Sequence, residues 1–153
     1  MNGNNIIQMT IFYKEINDFL FIHANIISMN TNNPKEDDNI RVYIIVNKDL
    51  KMRAGKIASQ VGHAIEQIVR FMEYHPSRNY KEWMNTSHAK IILKGSEKEL
   101  TDIYDKYSKK YYITKIYDAG KTQVQSGSFT AIGIEPLQKL NNDIKELDSL
   151  KLL

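Results

Sequence analysis

The run Val42-Tyr43-Ile44-Ile45-Val46 is apolar or aromatic at every position, the pattern of a strand buried on both faces. It feeds a basic loop containing Lys48, Lys51, Arg53 and Gly55. Near Lys56 the loop opens into a segment whose apolar residues Ile57, Val61, Ala64, Ile65, Ile68 and Met72 recur at helical spacing. A strand, a cationic turn and a helix start in succession constrain the fold strongly, because the helix must pack back on the sheet that the strand belongs to. They also make a place for an anion. The first N–H groups of a helix have no intrahelical acceptor and the helix dipole adds partial positive charge there, so a phosphate, a carboxylate or a developing oxyanion is stabilised.

The rest of the chain continues the alternation. His75-Pro76-Ser77 ends the helix, since proline disfavours a helical conformation in the residue before it. Tyr80 to Met84 reads as a short second helix, with Trp83 as a core anchor, and Ala89 to Lys94 as a second strand. Ser96 with Glu99 fits a capping box that starts a helix through Leu100, Ile103, Tyr104 and Tyr107. Tyr112 to Tyr117 is a third strand and Phe129 to Ile134 a fourth, after which Pro136 introduces a final polar helix reaching about Leu147. The expectation is an α/β fold, a three-layer α/β/α sandwich on a four-stranded mixed, mostly parallel sheet. The loops after the first and third strands, 47–55 and 118–128, would then share the carboxyl edge of the sheet, where such folds bind ligands.

Composition narrows the chemistry. The chain has 153 residues, enough for one domain with a real core plus a tail. A net charge of +3 permits a nucleic-acid partner without arguing for one. There is no cysteine, so disulfides, thiolate nucleophiles and cysteine-ligated metal are excluded. The four histidines, at 23, 63, 75 and 88, have no metal-ligand spacing, and no metal is expected. Residues 1–39 differ from the remainder, with Asn-rich stretches around Ile11 to Ile22; Lys14, Glu15, Asn17 and Asp18 interrupt that run, so it reads as an amphipathic appendage rather than a transmembrane helix or signal peptide, with a weak membrane-surface or targeting segment as the rival reading. The domain is expected to span 40–153.

Two stretches together carry a resemblance. Asp49-Leu-Lys-Met followed by Gly55-Lys56, Ala58, Gln60 and His63-Ala64 is the first; Asp118-Ala-Gly-Lys-Thr-Gln followed by Gly127-Ser128 and Thr130 is the second. From about Arg41 to the C-terminus the chain resembles the type 2 peptidyl-tRNA hydrolases of archaea and eukaryotes. The resemblance implies a cytoplasmic enzyme that hydrolyses the ester between a peptide and the 3′ ribose of tRNA, recycling tRNA from prematurely released peptidyl-tRNA. It also implies a homodimer, with neither metal nor organic cofactor. The family's catalytic lysine falls on Lys56, its aspartate on Asp118 and its threonines on Thr122 and Thr130. Family members often read Met-Gly-x-Gly-Lys where this chain has Met52-Arg53-Ala54-Gly55-Lys56, so Arg53 replaces backbone freedom with charge. Lys121 stands where arginine is common and gives up bidentate phosphate recognition.

Ester hydrolysis needs a positioned water and donors aimed at the tetrahedral oxyanion. A carboxylate beside an ammonium stays ionised and is a weak base, so Asp118 is read first as the group that orients water and Lys56, with proton abstraction as the lesser role, and Lys56 as the oxyanion or phosphate partner. Thr122 and Thr130 suit water positioning. Lys48, Lys51, Arg53 and Lys121 are expected to meet tRNA phosphates, and Gln60, four residues after Lys56, to extend the site. His63, seven residues after Lys56, could act as a general base, but its place beside Ala64 favours a packed, hydrogen-bonded ring. Gly120 and Gly127 are read as positive-φ loop positions, and Tyr111 and Tyr112 as lesser candidates for stacking on a tRNA end. The alternative is a tRNA-binding or protein-binding adaptor on the same fold. A nucleotide-binding loop fails, because no G-x-x-x-x-G-K-[ST] pattern is present.

Overall fold

The computed structural model describes residues 39–86, 88–120, 124–139 and 143–153. Strand β1 is Ile40–Asn47, followed by a 3-10 turn at Lys48–Leu50 and helix α1 at Ala54–Tyr74. Helix α2 is Arg78–Met84, β2 Lys90–Gly95, α3 Glu97–Tyr107, β3 Ile113–Tyr117 and β4 Phe129–Gln138; a 3-10 segment at Lys145–Ser149 precedes β5, Lys151–Leu152. The appendage expected over residues 1–39 lies almost wholly outside the described residues.

The five strands form one mixed sheet in the order β3-β4-β1-β2-β5. Only β1 and β2 pair in parallel; β4 is antiparallel to both β1 and β3, and β5 is antiparallel to β2. This corrects the expected four-stranded, mostly parallel sheet. β1, β2 and β3 do run in the same direction, but β4 is inserted against that direction between β3 and β1. A strand covered on both faces shows the same continuous apolar run in either orientation, so periodicity alone does not distinguish the two. The expected helix after Pro136 is also corrected. β4 continues through Pro136 to Gln138, where an extra residue in β4 shifts its register on β1. Such an irregularity accommodates a residue without an N–H to donate.

Alternate residues of β1 feed two cores, as a period of two requires. Val42, Ile44 and Val46 pack with Ala64, Ile68 and Met72 of α1 and with Tyr80 and Trp83 of α2. Tyr43 and Ile45 pack on the other face with Leu100, Ile103 and Tyr107 of α3, Ile132 and Ile134 of β4, and Leu147. Trp83, 3% exposed, also donates its indole N–H to the Ala89 carbonyl at 2.9 Å, so it is the core anchor expected of it. The capping box at α3 is present, with Ser96 and Glu99 each satisfying the other's N–H. Among the described residues no helix is long and apolar enough to cross a membrane.

The topology gathers one edge. The carboxyl ends of β1, β2 and β3, at Asn47, Gly95 and Tyr117, lie together with the amino ends of the two antiparallel strands, at Phe129 and Lys151.

Candidate active site

At this edge the start of α1 faces the ends of β3 and β4. Helix α1 begins at Ala54, two residues before the expected start, with Arg53 as an N-cap that supplies no side-chain capping bond. Its first-turn N–H groups therefore have no side-chain acceptor at the cap position. Lys56 is the third helical residue, and Gln60 lies one turn further along the same face. Arg53 has φ −76 and extended ψ, a conformation open to any residue, so the arginine does not disturb the turn. The left-handed backbone in this loop belongs instead to Lys51, at φ 46.

Asp118 follows β3 and is 8% exposed. Its Oδ1 accepts from the Lys56 ammonium and from Gln60 Nε2 at 3.2 Å, and its Oδ2 accepts the Gly120 N–H at 2.8 Å. The Lys56 hydrogen bond is the largest influence on the carboxyl and holds it below the usual aspartate value; the Gly120 and Gln60 donors and the lysine's charge act in the same sense, while burial opposes them. The loop itself is fixed at its base, with Asp118 N–H donating to Ser128 O at 3.0 Å and Gly127 N–H to Asp118 O at 2.7 Å. Gly120 and Gly127 have φ 75 and 80, as expected. A Cβ on Gly120 would also lie 2.5 Å from the Ser126 backbone, so that position has neither the torsion nor the space for a side chain.

Gln60 is the hinge of the network. It is 1% exposed, donates to Asp118 and accepts at Oε1 from Thr130 Oγ1 at 2.8 Å. An ionised carboxylate only accepts, so the Gln60 amide must turn its NH₂ to Asp118 and its oxygen to Thr130. Thr130 is fully buried, and its single hydroxyl hydrogen is shared between Gln60 Oε1 and Ile116 O, the latter at 3.0 Å. Strict alternation would put Thr130 on the α3 face with Ile132. It does not sit there, because Ile116 pairs with Ala131 and Tyr117 with Phe129, so the ladder skips Thr130. This β-bulge turns the threonine to the α1 face.

The structure thus brings together Lys56, Gln60, Asp118 and Thr130. Lys121 and Thr122 lie outside the described residues. Lys48 and Lys51 are exposed, and Lys48 lies 3.4 Å from the Glu99 carboxylate. His63 is exposed rather than packed, with Ser59 Oγ 3.5 Å from its Nε2; seven residues beyond Lys56, it has turned away from Asp118 toward solvent. Tyr112 stacks on Phe71 at 3.8 Å between ring centroids, at the amino end of β3 and away from the site.

Two residues near the site escaped the sequence reading. Asn47, 1% exposed, donates to Phe129 O at 2.8 Å, tying the end of β1 to the start of β4, while its Oδ1 accepts the Asp49 N–H at 3.0 Å. The signal was an asparagine closing an apolar run, an Asx-turn residue two before Asp49. Tyr117 is 56% exposed, stacked on Phe129 at 5.3 Å, immediately before Asp118; its place at the carboxyl end of a strand distinguished it from Tyr111 and Tyr112.

Comparison with known proteins bears on the same residues. A family profile described as Peptidyl-tRNA hydrolase PTH2 matches residues 40–153, which includes every residue of this site. A curated peptidyl-tRNA hydrolase of Methanococcus vannielii is 42% identical over 113 residues, covering 72% of this chain and 96% of that protein. One from Methanococcus maripaludis (strain C7) is 39% identical over 111 residues, covering 68% and 96%. Peptidyl-tRNA hydrolase 2 of Saccharomyces cerevisiae is 34% identical over 119 residues, covering 69% of this chain and 57% of the yeast protein. With a profile match over most of its length and relatives of this identity and coverage, the chain belongs to the PTH2 family of peptidyl-tRNA hydrolases.

Proposed function

We propose that this chain hydrolyses the ester joining a peptide to the 3′ ribose of tRNA, and that the Lys56–Asp118–Gln60–Thr130 cluster performs the reaction. The observation that carries this reading is a buried carboxylate held ionised by a lysine at a helix start, in a chain whose family match covers both. The adaptor alternative is not favoured, since an adaptor has no need of this lysine and aspartate in contact.

The lone pairs of Asp118 decide where a water binds. Oδ1 already accepts two donors, whereas among the described residues Oδ2 accepts only the Gly120 N–H, which leaves a lone pair for one more donor. A water there is held by a carboxylate too weak to take its proton outright at neutral pH, so Asp118 orients the nucleophile. Lys56 uses one of its three N–H donors on Asp118 and has two for the oxyanion, which forms as the water oxygen bonds to the carbonyl carbon. Breakage of the C–O bond then leaves the peptide as its acid and a proton on the ribose 3′ oxygen. Thr130 reaches no solvent and positions Gln60. Thr122, by resemblance, is assigned to the water.

Lys48, Lys51, Arg53 and Lys121 are taken as phosphate partners for tRNA. The family match beginning at residue 40 supports a domain of 40–153 with residues 1–39 as an appendage. A homodimer rests on the resemblance, and a cytoplasmic location on the translational substrate.

The test is release of free tRNA from N-acetyl-aminoacyl-tRNA by the parent, Lys56→Ala and Asp118→Ala, each confirmed folded. Turnover by the parent and a loss of about 10²-fold or more in either variant is the expected result. A folded parent that binds the substrate and releases nothing would overturn it.

A further inference from the structure

At the opposite end of the sheet edge from Asp118, a cavity of about 250 Å³ is lined by Lys48, Lys94, Glu99, Ser149, Leu150 and Lys151. Three ammonium groups and one carboxylate surround it. Lys94 and Lys151 are direct cross-strand partners in the β2–β5 pairing, and like charges facing each other across a ladder destabilise it. β5 is only two residues long, so it has little ladder to offset that repulsion. Glu99 does not relieve it. Among the described residues it forms an ion pair with Lys48 alone, at 3.4 Å through the Oε2 that also accepts the Ser96 N–H at 2.6 Å and the Ser96 hydroxyl at 2.8 Å. Neither Lys94 nor Lys151 has a carboxylate partner among the described residues, although Lys94 is part-buried. An uncompensated like-charge pair beside a third lysine is an arrangement that a phosphate would stabilise.

The sheet supplies a ruler. Neighbouring strands are about 4.8 Å apart, and the order β3-β4-β1-β2-β5 puts three to four spacings between the Asp118 site and this cavity, on the order of 14 to 19 Å. A stacked nucleic-acid strand rises about 3.4 Å per nucleotide, so that span is about four to six nucleotides. With the 3′ ester at Lys56 and Asp118, the phosphates reaching the cavity are those where the unpaired 3′ tail of tRNA enters the acceptor duplex.

We propose that Lys48, Lys94 and Lys151 form a phosphodiester subsite that seats the start of the acceptor stem and so sets the distance between stem and scissile ester. This rests on the ester-hydrolase reading above and gives that site a second point of attachment. The contact is to backbone, so it is indifferent to tRNA sequence.

The experiment compares full-length N-acetyl-aminoacyl-tRNA with an N-acetyl-aminoacyl trinucleotide carrying only the 3′ end, using the parent and the Lys94→Gln/Lys151→Gln double variant. For the full-length substrate KM should rise about tenfold with kcat unchanged, and the slope of log(kcat/KM) against log salt should shrink by about two. For the trinucleotide the two proteins should be equal. Lys151→Glu gives Lys94 a partner of opposite sign; it should melt higher than the parent yet bind full-length tRNA more weakly, a pairing of effects that a structural role does not produce. Equal losses on both substrates, or no loss on either, would overturn the subsite. So would inorganic phosphate raising the parent's melting temperature while the full-length KM of the double variant stays at the parent value, which would make the cavity a small-anion site. A parent that hydrolyses neither substrate would instead defeat the hydrolase reading.

Discussion

The two faces of the sheet are built from the same strands and are covered to different ends. On the α3 face the buried layer is Ile45, Leu93, Leu100, Ile103, Ile132, Ile134 and Leu147; one of its polar atoms, the Tyr107 hydroxyl, reaches the rim to donate to Glu146 at 2.8 Å. On the α1 face Gln60, Thr114, Asp118 and Thr130 are buried as well, linked to one another or to α1 by hydrogen bonds. Burying polar groups is costly unless every donor and acceptor is matched. Apart from Asn47 at the end of β1, whose amide is matched by Phe129 O and the Asp49 N–H, the α3 face avoids that cost and stabilises; the α1 face accepts it and thereby holds a carboxylate, an amide and an ammonium in fixed relation.

If this division is sound, damage to each face should read out differently. Ile103→Ala, which empties a fully packed position on the α3 face, should cost about 2 to 5 kcal/mol. Chemical denaturation would measure that, and kcat per folded molecule should be unchanged; a fall in kcat would mean that the faces are not separable. Gln60→Leu should cost less, about 1 to 3 kcal/mol, for the hydrogen bond lost to Asp118 and the one lost from Thr130, whose hydroxyl is left with Ile116 O. It should lower kcat more than it raises KM in the tRNA-release assay, since Asp118 loses one of its three donors.

The smallest effect is in pH. The Asp118 carboxyl is held below its ordinary value by Lys56 first, so its contribution to stability is present above the unfolded value of about 3.9 and is lost as pH falls through the lower folded value. Melting the parent beside Asp118→Asn from pH 7 downward should show a gap that is constant to about pH 4 and closes below it. A gap that closes between pH 5 and 7 would mean a raised carboxyl and restore Asp118 as a general base.

Much of this arrangement was legible because it is local. The β1 run, the helical stripe of α1 and the Ser96–Glu99 capping box are set by neighbours within a few residues, and all three stand where the periodicity put them. What was not legible depends on partners far along the chain. The direction of β4 shows only in its antiparallel pairing with β1 and β3, not in its own apolar residues. Pro136 breaks a helix or sits at a strand irregularity with equal ease, and only the pairing of Arg41 and Tyr43 across from it selects the second. His63 shared a nominal face with Lys56, yet α1 rests on the sheet through Ala64 and Ile68, which turns the histidine outward. Lys94 and Lys151 are 57 positions apart in the numbering, and nothing but the short β5 pairing makes them neighbours.

The bulge at Thr130 stores the site's geometry as parity. Whether a side chain in β4 looks at α1 or at α3 depends on whether the count of residues from the paired position is odd or even, and Thr130 is the residue that changes the count. Length changes in the loop between Tyr117 and Phe129 leave that count untouched. Replacing Thr130 keeps that count, whereas removing it restores regular alternation: Phe129 and Ala131 keep the α3 and α1 faces, and this turn of β4 has no position left from which a hydroxyl reaches Gln60. For this stretch of the chain, number is under tighter constraint than composition.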